Sequence, residues 1–312
     1  MTFKLMSLFG ESSSKNELDV SKSVPPSDFP PCQDVLSDSA GPFPVTKEVL
    51  SWEVIKALNK YVETGGRHRP ANCSTPHRVA IIVPYRDREI HLKIFLTNLH
   101  IFLQEQNIDY GLFVVELAPE VPFNRALLLN VGYLESSKLY NYNCFIFHDV
   151  DLIPEDGRNL YICADEPRHM SVAVDKFHYK LPYPSLFGGV SAMTKEQFET
   201  VNGYSNLYFS WGGEDDDMAK RLALQNLNII RFPPEIARYK MIAHIREDLK
   251  PEIMDILKTT KHRYKLDGLN SLRYTVLKLE KRKLYTWILV TVNQTEISEP
   301  FIHQKKQFLQ IH

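Results

Sequence analysis

No stretch of this 312-residue chain is apolar for long enough to cross a bilayer. The longest runs, Arg78 to Tyr85 and Leu284 to Val292, fall well short of the roughly 18 residues that a spanning helix needs. Met1 to Gly10 carries a single Lys and a short, broken apolar run; it makes no convincing signal peptide or anchor, which leaves either a cytosolic protein or one whose true N-terminus is missing. An excess of positive charge is absent too, with 37 Lys and Arg against 38 Asp and Glu and a formal net charge of −1. No global field is available to hold nucleic acid or an anionic membrane, so an anionic ligand must be held locally. Cysteine is scarce. Cys32, Cys73, Cys144 and Cys163 lie far apart, form no CxxC pair and have no His at zinc-finger spacing, which argues against a structural zinc site. From position alone they are either reduced core residues of an intracellular protein or paired residues of a secreted one. The sequons Asn72-Cys73-Ser74 and Asn293-Gln294-Thr295 matter only in the second case. Also missing are a GxGxxG or Walker loop, which disfavours a dinucleotide fold or a P-loop kinase, and any internal repeat.

What is present is an ordinary globular composition, 44% apolar and 24% charged, with ample material for a core. Residues 1–44 read as a Ser-, Asp- and Pro-rich disordered stem or linker, 45–300 as one folded domain and 301–312 as a C-terminal tail. RVAIIVPY (78–85) predicts a strand buried on both faces, with Pro84 limiting its continuation. A helix at 91–106, a strand at 111–117, a helix at 124–136 and a strand at 144–150 follow. This β-α-β-α-β alternation implies right-handed crossovers, a mainly parallel central sheet with flanking helices, and ligands at the carboxyl ends of the strands. Three polar clusters fall at those ends: Arg86-Asp87-Arg88, Phe123-Asn124-Arg125 and Asp149-Val150-Asp151.

Asp149 and Asp151, two apart after an apolar strand, are aimed to one side by the period of a strand. They can seat a divalent cation that also holds a diphosphate, or simply cap a turn and be solvated. The neighbouring arginines favour the cation, because guanidinium forks beside a metal suit a nucleoside diphosphate. In Trp211-Gly212-Gly213-Glu214-Asp215-Asp216-Asp217, four consecutive carboxylates repel one another, and such a run suits a helix N-terminus, a cation or a site that needs a base. The paired glycines and Trp211 suggest a mobile loop with a sugar-stacking face. Met241 and His244 would pass, on spacing alone, for ordinary core or surface residues.

Read in order, PYRDR (84–88), FNRA (123–126), HDVDLIP (148–154), FGGVSAMTKEQF (187–198), NGY (202–204), WGGEDDD (211–217), MIAH (241–244) and DGLNSL (267–272) resemble the β-1,4-galactosyltransferase family, from about Cys32 to Val292. The resemblance implies a GT-A (nucleotide-diphospho-sugar transferase) fold and an inverting, manganese-dependent hexosyltransferase. It also implies a Golgi lumenal location through an N-terminal anchor absent from this chain. By position, Asp151, Met241 and His244 would ligate Mn²⁺. Pro84, Arg86, Arg88, Phe123, Arg125, Asp149, Lys176, Leu186 and Trp211 would bind the UDP-sugar. Asp215 would be the general base, with Glu214 and Asp216 orienting donor and acceptor sugars. Tyr183, Gly213 and the apolar trio Ile253, Met254 and Leu257 would complete the acceptor site, the trio receiving an N-acetyl methyl group. Trp211 and the segment from His244 to about His262 resemble two loops that close after the donor binds. Cys32 would pair with Cys73 and Cys144 with Cys163.

Five positions depart from the family. Phe209 and Ser210 occupy positions where Trp and Gly are usual, which implies slower loop motion. Leu117 stands in place of Gln and Pro119 in place of Gly, near the nucleotide. Most consequential is Leu186, where galactose-specific members carry Tyr. A smaller apolar residue opens space at C2 of the donor sugar, as in invertebrate β-1,4-N-acetylgalactosaminyltransferases. The expectation is transfer of GalNAc from UDP-GalNAc to O4 of a terminal β-linked GlcNAc. UDP-Gal transfer to the same acceptor, an inactive sugar-binding member and a nucleotide-sugar hydrolase are the rivals.

Overall fold

A computed structural model describes residues 29–33, 41–243 and 251–309. The chain passes through α1 (Trp52–Leu58), β1 (Arg67–His68), β2 (Arg78–Tyr85), α2 (Glu89–Gln104), β3 (Asp109–Leu117), α3 (Arg125–Leu139) and β4 (Cys144–His148). There follow β5 (Leu152–Pro154), β6 (Arg168–His169), β7 (Ala173–Val174), β8 (Val190–Thr194), α4 (Lys195–Thr200), α5 (Glu214–Leu224) and β9 (Arg238–Met241). The last elements are α6 (Pro251–Lys258), α7 (Thr260–Arg263), β10 (Thr275–Lys281), β11 (Thr286–Thr291) and α8 (Gln294–Leu309).

The β-branched run of β2 lies at the centre of the main sheet, ordered β10-β11-β3-β2-β4-β8-β6, with β1 also paired to β3. Its three central pairings, β11 with β3, β3 with β2 and β2 with β4, are parallel, as the strand–helix alternation requires. Antiparallel strands β10, β8 and β6 finish the two edges. Pairing of β2 with β4 stops at Ile82, two residues before Pro84, so the missing proline N–H interrupts no ladder on that side. Side chains alternate between two cores. Val79, Ile81 and Val83 pack under α2, while Ala80 and Ile82 pack under α3 and α5. Each fully buried side chain of this kind contributes on the order of 1.5–3 kcal/mol.

A small second sheet, β5-β9-β7, sits beside the end of β4. The folded body also reaches beyond residues 45–300. Cys32 N–H bonds to Ser74 O at 2.8 Å and Cys32 is disulfide-bonded to Cys73. Phe43 meets Phe102 edge-on at 5.2 Å, and α8 runs through residue 300 without a break. The rest of the stem, 1–28 and 34–40, and residues 310–312 of the tail lie outside the described residues.

Candidate active site

The three polar clusters meet in pairs: Arg86 lies over the Phe123 ring, and Arg125 binds Asp149. Asn124 caps α3, its side chain accepting from Leu127 N–H at 2.9 Å and donating to Asn206 O at 2.8 Å. That cap fixes the next residue. Arg125 Nε donates to Asp149 Oδ1 at 2.6 Å and Nη1 to Asp215 Oδ1 at 2.8 Å, with Glu214 Oε1 at 3.5 Å. One guanidinium thus faces three carboxylates. Burial is the largest influence on Glu214, and with the charge of Asp215 it pushes this carboxyl up to about 8 against the pull of Arg125. Burial likewise pushes Asp149 up to about 6, opposed by Arg125 and helped by Asp151 and Asp215. Glu214 is the furthest of the three from the cation, and its buried Oε2 has no hydrogen-bond partner among the described residues. An orphaned oxygen beside Asp149 and Asp215 suits a hydroxyl of a bound sugar.

The strand expected over 144–150 ends at His148, so Asp149 to Asp151 form a turn and not two steps of a strand. Asp149 N–H bonds to Gly189 O at 3.0 Å, and Leu152 N–H bonds back to Asp149 O at 3.3 Å. Asp149 is half-buried on Arg125, whereas Asp151 is buried. The β5–β9 pair then brings Asp151 beside Met241: Leu152 is in register with Met241, and Ile242 N–H bonds to Asp151 O at 2.8 Å. His244 lies outside the described residues. Among the described residues no three His, Cys, Asp or Glu side chains group as a metal site. The described part of the expected set, a buried carboxylate beside a thioether, fits a divalent cation once an imidazole three residues on from Met241 is added.

Among the residues expected to bind the donor, Arg86 Nη2 donates to Ala118 O at 2.9 Å and its guanidinium lies 5.4 Å from the Phe123 ring centre. Pro84 is buried within β2 and Arg88 precedes α2. Lys176 is exposed on the short turn Asp175–Phe177, whose Asp175 Oδ1 accepts from Met241 N–H at 2.9 Å. Leu186 is half-buried, and Arg231 clamps its loop, donating to Pro184 O at 2.7 Å and Leu186 O at 2.8 Å. The same guanidinium bonds His169 Nδ1 at 3.1 Å, and His169 Nε2 reaches Gly188 O at 3.0 Å. Burial, with Arg231 beside it, pushes His169 down to about 3, so a neutral imidazole braces the loop.

The acidic run opens α5, all four carboxylates falling in its first turn, where the helix dipole favours them. Gly213 precedes the helix at φ 88°, and a Cβ there would stand 2.6 Å from Ile253 Cγ2. Tyr183 O–H donates to Asp216 Oδ1 at 3.0 Å, uniting two expected acceptor residues. Trp211 is exposed just before them. The apolar trio divides: Ile253 is 2% exposed and shares a helix face with half-buried Leu257, while Met254 turns outward at 45%.

Sequence reasoning missed what stands behind this turn. Asp217, the last of the four acids, is fully buried, accepting from Arg221 at 2.6 Å, Tyr208 at 2.9 Å and Thr260 at 2.7 Å, and paired with Arg263. Asp267 bonds both arginines from the other side. Burial, the largest single influence, pushes Asp217 up, but the two guanidiniums outweigh it and hold the carboxyl below its usual range. Asp217 in WGGEDDD and the Asp at the head of DGLNSL were the signals; the group is assembled from three separated segments, around Tyr208, along α5 and from Thr260 to Asp267. The clamp residue Arg231 carried no signal at all.

Residues 32–164 match the family described as the N-terminal region of glycosyl transferase group 7, and residues 168–245 match the N-terminal domain of galactosyltransferase. Mouse β-1,4-galactosyltransferase 1 is 45% identical over 268 residues, covering 85% of this chain and 67% of the relative. The chain belongs to the β-1,4-galactosyltransferase family. Human β-1,4-galactosyltransferase 1 is 48% identical over 243 residues, which cover 77% of this chain but 61% of the human protein. Among solved structures, a mutant of Drosophila β1,4-galactosyltransferase 7 in complex with manganese, UDP-Gal and xylobiose superposes with a TM-score of 0.60 at 27% identity, over 70% of this chain and 94% of that one. The central sheet and flanking helices are thus the GT-A fold of this family. Both disulfides that family position implied, Cys32–Cys73 and Cys144–Cys163, are formed.

Proposed function

We propose that this protein is an inverting β-1,4-N-acetylgalactosaminyltransferase, moving GalNAc from UDP-GalNAc to O4 of a terminal β-linked GlcNAc. The observation that carries the transferase chemistry is the Arg125 hub, which holds a donor-side carboxylate, Asp149, and a candidate base, Asp215, on one side chain. Asp215 takes the proton from the acceptor hydroxyl as that oxygen attacks C1 of the donor sugar from the face opposite UDP. The C1–O bond breaks, its electron pair leaves on the β-phosphate oxygen, and the configuration at C1 inverts. Asp151, Met241 and His244 would hold Mn²⁺, which when bound neutralises the diphosphate and stabilises departing UDP. Arg86, Arg88 and Phe123 orient the nucleotide, Glu214 and Asp149 the donor sugar, and Asp216 with Tyr183 the acceptor. The relatives' names, the manganese and UDP-Gal of the Drosophila complex, and two disulfides suited to an oxidising Golgi lumen support this reading.

The choice of GalNAc rests on Leu186, an aliphatic side chain on a loop braced by Arg231 and His169. Galactosyl transfer is the second reading, favoured by the names of the relatives. Initial rates with Mn²⁺ and a β-linked GlcNAc acceptor decide between them. UDP-GalNAc should be used faster than UDP-Gal, and Leu186→Tyr should reverse that order by roughly 10-fold or more, since a pocket contact of this size is worth ~1–3 kcal/mol. Faster use of UDP-Gal by the wild type overturns the GalNAc assignment, and UDP release without an acceptor would indicate a hydrolase.

A further inference from the structure

On the sheet face opposite the Arg125 hub, α1 and α2 stand away from β3 and β11 and leave a cavity of about 570 Å³. That size lies within the roughly 300–1,000 Å³ of small-ligand sites. Two preset indole–carboxylate pairs line it from opposite sides. On the helical side, Trp52 Nε1 donates to Glu89 Oε1 at 2.9 Å; on the strand side, Trp287 Nε1 donates to Glu116 Oε2 at 2.7 Å. Arg282 lies 4.1 Å over the Trp287 ring and donates to the Tyr285 hydroxyl at 2.8 Å. None of these residues has a part in the transfer chemistry. The lining nevertheless touches it at one point, because Tyr85 faces the cavity while its neighbour Arg86 belongs to the donor side.

We propose that this cavity is a second carbohydrate site, taking a neutral pyranose unit of a glycan. A pyranose presents an apolar C–H face ringed by hydroxyl groups. It therefore needs aromatic bodies with polar tips, together with acceptors and donors held in place around them. Trp52 and Tyr285 supply the first, the Trp287 ring being covered by Arg282, and Glu116, Glu89 and Arg282 the second. Glu89 and Glu116 against Arg282, Lys56 and Lys283 leave a single positive charge in excess, too weak a field to hold a multiply charged nucleotide diphosphate. A glycan engaged here and at the transfer site would gain from linkage, the second contact becoming intramolecular.

The choice of a GlcNAc-containing probe rests on the proposed acceptor; the cavity argument does not. The test titrates the whole chain with N,N′-diacetylchitobiose, with and without Mn²⁺ and UDP, by saturation-transfer NMR and tryptophan fluorescence. Saturable binding is expected in both conditions. Trp52→Ala and Glu116→Gln, each checked for an unchanged melting temperature, should weaken it at least tenfold, while Asp216→Asn leaves the binding seen without Mn²⁺ and UDP intact. No binding without Mn²⁺ and UDP, or binding lost in Asp216→Asn and kept in both cavity variants, overturns the proposal. Turnover is read separately, so failure of the proposed reaction and failure of the cavity site give different results.

Discussion

Glu214 has the most informative side chain of the acidic turn. Its two neighbours on the helix and the strand end claim the hydrogen bonds of Arg125, and it is left with a longer contact and a buried oxygen. An acid whose carboxyl is raised on folding binds more protons in the native than in the unfolded state between the two values. Stability from that group is therefore present at low pH and is lost as pH rises from the ordinary glutamate value of about 4.5 towards about 8. Glu214→Gln keeps the shape and removes the titration. Its melting temperature relative to wild type should climb between pH 5 and pH 8 in the absence of metal and donor; a constant difference across that range would mean that Glu214 is not raised. Ser210 is a second residue whose environment matters, because it sits at φ 105°, a region open to glycine and costly for serine. The serine thus holds the turn before Trp211 in a strained backbone conformation that a glycine would relieve.

Among the elements, the approach of the 187–189 loop to the first turn of α5 sets the place of Asp215, the proposed base. A Cβ on Gly188 would stand 2.2 Å from Asp215 Oδ2 and 2.8 Å from its Cγ. Gly188→Ala must therefore displace the carboxylate, and displacement of a reacting group by about 1 Å costs on the order of 10²-fold in rate. The expected outcome is a kcat reduced by that order with a much smaller change in the KM for the donor, measured by initial rates; an unaltered kcat would show that Asp215 is not positioned by this contact. Behind α5, the Asp217–Arg221–Arg263–Asp267 group ties that helix to α7 and the turn after it. A buried set of two cations and two anions is fully matched, so its role is to hold one arrangement of helix and loop.

At the scale of the molecule, two disulfides close loops between residues 41 and 19 apart in sequence. Cys32–Cys73 anchors the start of the folded body, and Cys144–Cys163 joins the first residue of β4 to the segment before β6. In the chain-entropy account each closure limits the unfolded chain by about 3–4 kcal/mol. Cys144→Ala with Cys163→Ala should lower stability by about 3 kcal/mol in denaturant unfolding, and reductant should move the wild type towards that variant. No effect of either would mean that the bridge does not constrain the unfolded state.

The order of strands and helices, the parallel centre and the polar strand ends were written in local pattern, because hydrophobic period and chain alternation are properties of neighbouring residues. Motif order supplied the family and the cysteine pairing. Three things were decided only by the tertiary fold. Strand β4 ends early enough to turn Asp149 onto Arg125, Arg231 and His169 converge on the loop carrying Leu186 and Gly188, and the Trp52 and Trp287 pairs face one cavity. Each joins residues distant in sequence, and such meetings follow from packing and crossover geometry that no local spacing encodes.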